Sequence, residues 1–326
     1  MSSVPKHAAQ SGARGSIAAV TGATGFLGRY VISALARSGW QVRMLVRSEP
    51  MHEQISNLNT EITLGDLNDE PALRHFCSGA DAIIHLAGAI KARDRESFFV
   101  VNSKGSENLA RAAAAKAPGV PIVHISSMAA REPELSDYAA SKRAGEEALR
   151  KKASGPLIIL RPSAVYGPWD EATKPLFQMA AKGWVLSPRV PSARVCLIHA
   201  QDVADAVVSA VQNETSSATY ELTDSTIDGY TWHEIATAAG KVMGRQPRII
   251  DVPPWAFKLG GLISGLSSPL MRTTPILTRG KVREMLHLDW TSHQQNQPPE
   301  TWWRAKVNLL DGFNETANWY LSRKFD

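Results

Sequence analysis

Along the first half of the chain, short β-branched apolar runs alternate with segments whose apolar residues recur every three to four positions. The runs at 16–20, 41–46, 62–64, 82–86, 121–125 and 157–160 predict strands, and most are separated by helix-length segments, the first at 26–38. That rhythm is βαβ, which requires a parallel sheet. Several runs are apolar almost throughout, as strands are when helices cover both faces. The expected fold is α/β, a doubly wound Rossmann-type parallel sheet over 16–165 preceded by a loose polar tail at 1–15.

After Arg161 the rhythm is broken by Pro162, Pro168, Pro175, Pro188 and Pro191, which predicts a smaller, mainly C-terminal substrate-binding lobe over 166–326. A strand-like 195–198 and a helix-like 202–211 predict that about 194–212 returns to the first domain. From 218 the pattern gives a short strand, a helix at about 231–243, a strand near 248–252 and then a Gly- and Ser-rich apolar stretch. There is no internal repeat.

With 326 residues, 44% hydrophobic and 21% charged, the chain can bury a full core, which excludes global disorder. Its apolar stretches break well before the roughly 18 residues of a membrane-spanning helix. The tail has no apolar core or cleavage site, so a cytoplasmic protein is expected. Cys77 and Cys196 stand too far apart for a metal cluster or a disulfide framework; buried thiols and no metal site are expected. The 36 Lys and Arg exceed the 31 Asp and Glu, but they are scattered, so nucleic acid is not an expected partner.

Candidate chemistry begins at 21–28, which reads TGATGFLG and sets Gly22, Gly25 and Gly28 three residues apart between a strand and a helix. Glycines there allow a tight turn and close backbone approach, so free N–H groups at the helix start can hold a pyrophosphate; the plainer alternative is a flexible turn. Arg47 ends the second strand where an NAD site would offer an acid, and a guanidinium suits a 2′-phosphate. NADP is therefore expected, with NAD the alternative. Asp66, after the third strand, is placed to meet the adenine. Tyr138 and Lys142 lie four apart on one helix face. A tyrosine with a free pKa near 10 serves as an acid–base group at pH 7 only with help such as a nearby cation. Ser126 and Ser127 close the fifth strand.

Taken in order, these motifs resemble the extended branch of the short-chain dehydrogenases/reductases. The resemblance covers about 16–252: TGATGFLG, Gly65-Asp66-Leu67, His85-Leu86-Ala87-Gly88, Val101-Asn102-Ser103-Lys104-Gly105, His124-Ile125-Ser126-Ser127, Tyr138 to Lys142, RPSAVYGP from Arg161 and HAQDVA from His199. It implies a cofactor held by Gly22, Thr24, Gly25, Phe26, Leu27, Gly28, Arg47, Asp66, Leu67, Ala87, Gly88, Tyr138, Lys142 and Pro162. It further implies catalysis by Ser127, Tyr138, Lys142 and Asn102. Tyr138 would exchange a proton with the substrate oxygen, and Lys142 would bind the nicotinamide ribose and lower the tyrosine pKa. Ser127 would hold the same oxygen, strand alternation turning Ser126 to the other face. Asn102 would lie near the cofactor.

Within that branch, dehydratases want carboxylates directly after the serine, where this chain has Met128-Ala129-Ala130. Sugar-nucleotide enzymes of the branch carry an Arg-Asp pair four and three residues before the position of His199. Those positions here are Val195 and Cys196, with Arg194 one step away, and a one-residue shift reverses a strand face. The segment 253–271 is apolar and free of acids, inside a stretch 241–290 with eight Lys or Arg against three acids. It suits a lid over a lipophilic substrate or a contact with an anionic membrane surface. The tail at 278–284 and 288–290 resembles bacterial extended-branch enzymes related to hydroxysteroid dehydrogenases and to reductases of lipid ketones, including ceramide-type intermediates. The expected activity is NADP-dependent interconversion of a ketone and a secondary alcohol on a lipophilic substrate, a 3-ketoceramide or a sterol-like ketone. A peripheral membrane contact through 253–272 and a homodimer are the expected associations. The alternatives are a nucleotide-sugar 4-epimerase that recycles tightly bound NAD and a non-catalytic cofactor-binding regulator or assembly factor.

Overall fold

The computed structural model describes residues 15–49, 52, 55, 58–260 and 278–325. Most of the expected tail, and 261–272 of the apolar segment, lie outside the described residues. The first domain runs β1 (Ile17–Thr21), α1 (Phe26–Arg37), β2 (Gln41–Val46), β3 (Thr60–Leu64), α2 (Glu70–Cys77), β4 (Ala82–His85), α3 (Arg95–Phe99), α4 (Gly105–Lys116), β5 (Ile122–Ile125), α5 (Asp137–Lys152) and β6 (Leu157–Pro162). The second lobe and its returns follow as β7 (Ala164–Tyr166), α6 (Lys174–Ala181), β8 (Trp184–Pro188), β9 (Arg194–Val195), β10 (Leu197–His199), α7 (Ala200–Asn213), β11 (Ala218–Leu222), α8 (Trp232–Val242), β12 (Arg248–Val252), α9 (Arg279–Leu286), β13 (Asp289–Trp290) and α10 (Leu309–Ser322).

Strand side chains alternate between two buried layers, which is why these strands read as apolar throughout. Ala18, Val20, Val42, Met44, Ile84, Val123 and Ile158 join Val31, Ile32 and Leu35 of α1 and Val203 and Val207 of α7. Ala19, Leu45, Ile83, Ile122, Leu157 and Ile159 join Leu73 and Phe76 of α2, Leu109 and Ala113 of α4 and Leu149 of α5. The central sheet has the order β11-β6-β5-β4-β1-β2-β3 and is parallel throughout. Chain order reverses between β1 and β4, so a crevice opens outside their carboxyl ends, the place where doubly wound sheets bind ligands.

Two features differ from the sequence expectation. The strand at 218–222 is not part of the lobe: it pairs with β6 from Ala218 opposite Ile158 to Leu222 opposite Pro162, making the seventh strand. An open β6 edge would leave backbone groups unpaired, and α7, packed in the α1 layer, carries the chain back to that edge. The run 195–198 divides at Cys196. There β9 pairs with β13 and β10 with β7, and Cys196 bridges the two by donating its N–H to Trp290 O (3.2 Å) and accepting from Ala164 N (3.3 Å). Of the expected 194–212 return, Ile198 and α7 join the core of the first domain, while Val195 and Leu197 pack in the lobe.

The lobe has its own core of Tyr166, Phe177, Leu197, Ile235, Phe313 and Tyr320. A strap at 302–307 ties it to α7. Trp303 Nε1 donates to Asp202 O, and the Lys306 and Val307 N–H groups donate to the two oxygens of the buried Asp202 carboxylate, each at 3.0 Å. Among the described residues no helix is long and apolar enough to cross a membrane. Both cysteines are buried thiols, pushed up to about 12 by that burial.

Candidate active site

The β1–α1 turn leaves no room for side chains where it meets the sheet. Gly22 has φ +73°, and a Cβ there would stand 2.6 Å from Ala87 N; one on Gly28 would stand 2.1 Å from Gly22 O. Gly25 is different: exposed and in ordinary extended backbone, it has only Gly22 O at 3.3 Å beside its would-be Cβ. Two glycines therefore close the turn, and the third opens it outward. Gly25 caps α1 without a side chain, and the first turn of α1 holds no acid, so its leading N–H groups keep their positive end for an anion. Thr24 is exposed and Phe26 and Leu27 are half-buried around it. Ala87 N donates to Thr21 Oγ1 (3.2 Å), fixing the Ala87-Gly88 edge opposite the turn.

Across the crevice, Ser136 caps α5 by accepting from Ala139 N (2.9 Å), which starts the helix so that Tyr138 and Lys142 share a face. The two hydroxyls after β5 point apart. Ser126 donates to buried Glu146 (2.6 Å), while Ser127 hydrogen-bonds the Tyr138 hydroxyl. Burial pushes Tyr138 up to about 12, the Ser127 bond pulls it back and the Glu284 carboxylate adds to the rise. Tyr138 is thus a protonated phenol at neutral pH. Burial drives the Lys142 ammonium down to about 8, against the opposing pull of Glu146. The expectation that Lys142 lowers the tyrosine pKa is therefore not what this arrangement displays; both groups move against their charged forms because both are desolvated.

Lys142 Nζ donates to Ile125 O at 2.7 Å and stands 3.6 Å from the Cβ position of Gly88, so donors remain for ribose hydroxyls at that edge. The open glycine turn, the uncapped helix start and this ammonium fit a dinucleotide laid along the crevice. Arg47 is exposed just past β2 on the same rim. Asp66 is exposed past β3; one of its oxygens accepts from Asn68 N (2.7 Å), which leaves the other for a ligand.

Three expected residues act from behind. Asn102 accepts from Ala89 N (2.7 Å) and donates to Ala89 O (3.0 Å) and Ser141 Oγ (2.8 Å), so its side chain clamps the 87–89 edge to α5 and both its amide protons are spent there. Leu67 is buried beneath Gly105, and Pro162 is buried at the end of β6. Sequence reasoning missed the layer beneath. Thr21 donates to His85 Nδ1 (2.8 Å), His85 Nε2 donates to Ser106 Oγ (2.9 Å), and Ser106 donates to Asn102 O (2.7 Å). That direction follows from Ser106 spending its single proton on Asn102 O, which leaves its oxygen to accept from His85 Nε2, and it fixes the neutral tautomer of His85, whose pKa burial lowers to about 3. Arg161 meets Glu146 through two bonds of 2.8 and 2.6 Å behind Lys142. The i,i+4 spacing of Lys142 and Glu146 was the available signal. Arg194, one step from the phosphate-binding position of sugar-nucleotide enzymes, instead pairs with Glu234 at 3.5 Å on the lobe surface.

A parallel sheet with this glycine turn and a Ser-Tyr-Lys cluster facing it defines a dinucleotide-linked oxidoreductase. The signature of the NAD dependent epimerase/dehydratase family matches residues 18–222, and the chain belongs to that family. It is 45% identical over 309 residues to the ceramide reductase of Caulobacter vibrioides, covering 94% of this chain and 95% of that one. It is 29% identical over 228 residues to the 4-hydroxy-2-methyl-3-oxo-4-farnesyl-3,4-dihydroquinoline-1-oxide ketoreductase of Stigmatella aurantiaca, covering 63% of this chain and 67% of that one. The UDP-N-acetylglucosamine 4-epimerase of Bacillus cereus shares the fold, with a TM-score of 0.70 at 21% identity over 95% of this chain and all of the other. The protein is an NAD(P)-dependent oxidoreductase.

Proposed function

We propose that this chain reduces a ketone on a ceramide-type lipid with NADPH. The observation that carries the reading is its 45% identity, along nearly the whole length of both chains, to a ceramide reductase. The site chemistry supports it. When bound in the crevice, the nicotinamide supplies a hydride for the carbonyl carbon. Tyr138, protonated at neutral pH, gives its proton to the carbonyl oxygen as negative charge develops there, and Ser127 donates a hydrogen bond to the same oxygen. Lys142, beside the Gly88 edge and positive below about pH 8, would hold the cofactor ribose. Arg47, exposed just past β2, would pair with a 2′-phosphate and so favour NADP. Trp255 (68% exposed) and Leu259 (47%) flank Lys258 on helical backbone at 254–260, a surface suited to taking lipid from the cytoplasmic face of a membrane.

The test is NADPH oxidation with an N-acyl-3-ketosphinganine in mixed micelles, beside UDP-sugars whose products are assayed separately. Oxidation with the keto-lipid is expected, and sugar conversion without net cofactor change would replace this reading with the epimerase. Tyr138→Phe should lower kcat by roughly 10²–10⁴-fold and leave NADPH affinity nearly intact; unchanged turnover would sink the assignment of the proton donor. Arg47→Ala should weaken NADPH far more than NADH in fluorescence titrations, and equal losses would remove the preference for NADP.

A further inference from the structure

Helix α9 lies beyond the stretch that matches the family signature, yet it docks on the loop that starts α5. Arg283 Nε donates to Leu135 O (2.6 Å), and Gly280 sits so close that a Cβ there would meet Ser136 Cβ at 2.7 Å. The Ser136 hydroxyl donates to Glu284 Oε1, while Lys281 Nζ pairs with the other carboxylate oxygen at 3.3 Å. Trp290 Nε1 donates to Glu284 O (2.9 Å), anchoring the end of α9 to β13. Ser136 and Glu284 are both buried.

The Ser136 hydroxyl has one proton, and its oxygen accepts from Ala139 N at the first turn of α5. Committing that proton to Glu284 leaves the lone pairs aimed at the helix, so the carboxylate decides how well the helix two residues before Tyr138 is capped. We propose that Glu284 is a positioning residue for the reduction: from α9 it fixes the hydroxyl that caps α5 and thereby sets where Tyr138 stands against Ser127. The inference rests on Tyr138 being the proton donor. Tyr138 itself meets Ser127 and the ring of Phe98 of α3, with ring centres 6.2 Å apart. Its neighbour Asp137 is already engaged by Arg95 at 2.7 Å. From the C-terminal region, α9 reaches the start of this helix through Ser136 and Leu135. The charge of Glu284 also helps keep Tyr138 protonated.

The experiment compares Glu284→Ala, Glu284→Gln, Ser136→Ala, the Ser136→Ala/Glu284→Ala double variant and Tyr138→Phe in full-length protein, with NADPH and N-acyl-3-ketosphinganine. A displaced proton donor should lower kcat about tenfold in Glu284→Ala while KM and NADPH affinity stay within about twofold, as expected of a group that acts through Ser136. Ser136→Ala should lose as much, and the double variant no more than the worse single, as expected of two groups acting through one contact. Glu284→Gln, whose amide oxygen still accepts from Ser136, should recover most of kcat. Hydrogen exchange at the Ala139 amide should quicken in Glu284→Ala, a readout that needs no turnover. Wild-type kcat or unchanged Ala139 exchange in Glu284→Ala, or losses that add in the double variant, would overturn the proposal while a dead Tyr138→Phe left the parent reading standing. An active Tyr138→Phe would bring down the parent reading instead, and this inference with it.

Discussion

Tyr138 and Lys142 share one helix face, and burial moves them in opposite directions, the phenol up to about 12 and the ammonium down to about 8. Each is pushed toward its neutral form, so in the physiological range the tyrosine keeps its proton while the lysine is near the point of losing its own. The lysine cation is present below its folded pKa and lost as pH rises through it. For the free enzyme, kcat/KM for reduction should therefore fall as pH climbs through about 8, with no matching acid limb from Tyr138. Lys142→Met should lower the plateau and flatten that fall. A pH–rate profile decides it, and a wild-type profile flat to about pH 9 would separate Lys142 from the rate. The sequence could place these two side chains on one face because spacing is a local property. It could not give the sign of their shifts, which desolvation by the assembled domain sets.

The three glycines of the β1–α1 turn look equivalent in sequence and are not equivalent in the folded element. Gly22 and Gly28 face backbone at distances no Cβ tolerates, whereas Gly25 faces outward in a conformation open to any residue. Gly28→Ala should lower the melting temperature and cofactor affinity together, because α1 must lift off the turn. Gly25→Ala should leave the melting temperature near that of the wild type and still weaken NADPH by more than tenfold, since only the approach of the pyrophosphate is blocked. Thermal melts and NADPH fluorescence titrations separate the two; equal behaviour of both variants would refute the division of roles. The strands of this half were legible for a related reason. Two buried faces demand continuous apolar runs, so β2, at 41–46, and β4 announced themselves without reference to their neighbours. The break at Cys196 did not, since apolar residues continue across it and only the rival partners β13 and β7 divide it.

At the scale of the whole molecule, the chain crosses between its two cores several times, and Asp202 is where the last crossing is fastened. Its buried carboxylate accepts two backbone N–H groups of the 302–307 strap, and Asp202→Ala would leave both donors without their acceptor. A loss of roughly 2–4 kcal/mol of stability is expected, together with faster proteolysis at the strap. Urea unfolding and limited proteolysis check this, and an unchanged midpoint would show that the strap is held elsewhere. The HAQDVA motif that contains Asp202 was visible as a family resemblance, but its partner a hundred residues later was not.

The sequence by itself determined the class of fold, the glycine turn and the shared helix face of Tyr138 and Lys142. Strand burial, turn geometry and helix spacing are written in residues close together along the chain. The tertiary structure alone decided that 218–222 completes the sheet, that Asn102 clamps a loop and that Glu284 reaches Ser136 across 148 residues. Those contacts depend on which surfaces meet after folding, and a single chain carries no local pattern for the surface it will meet.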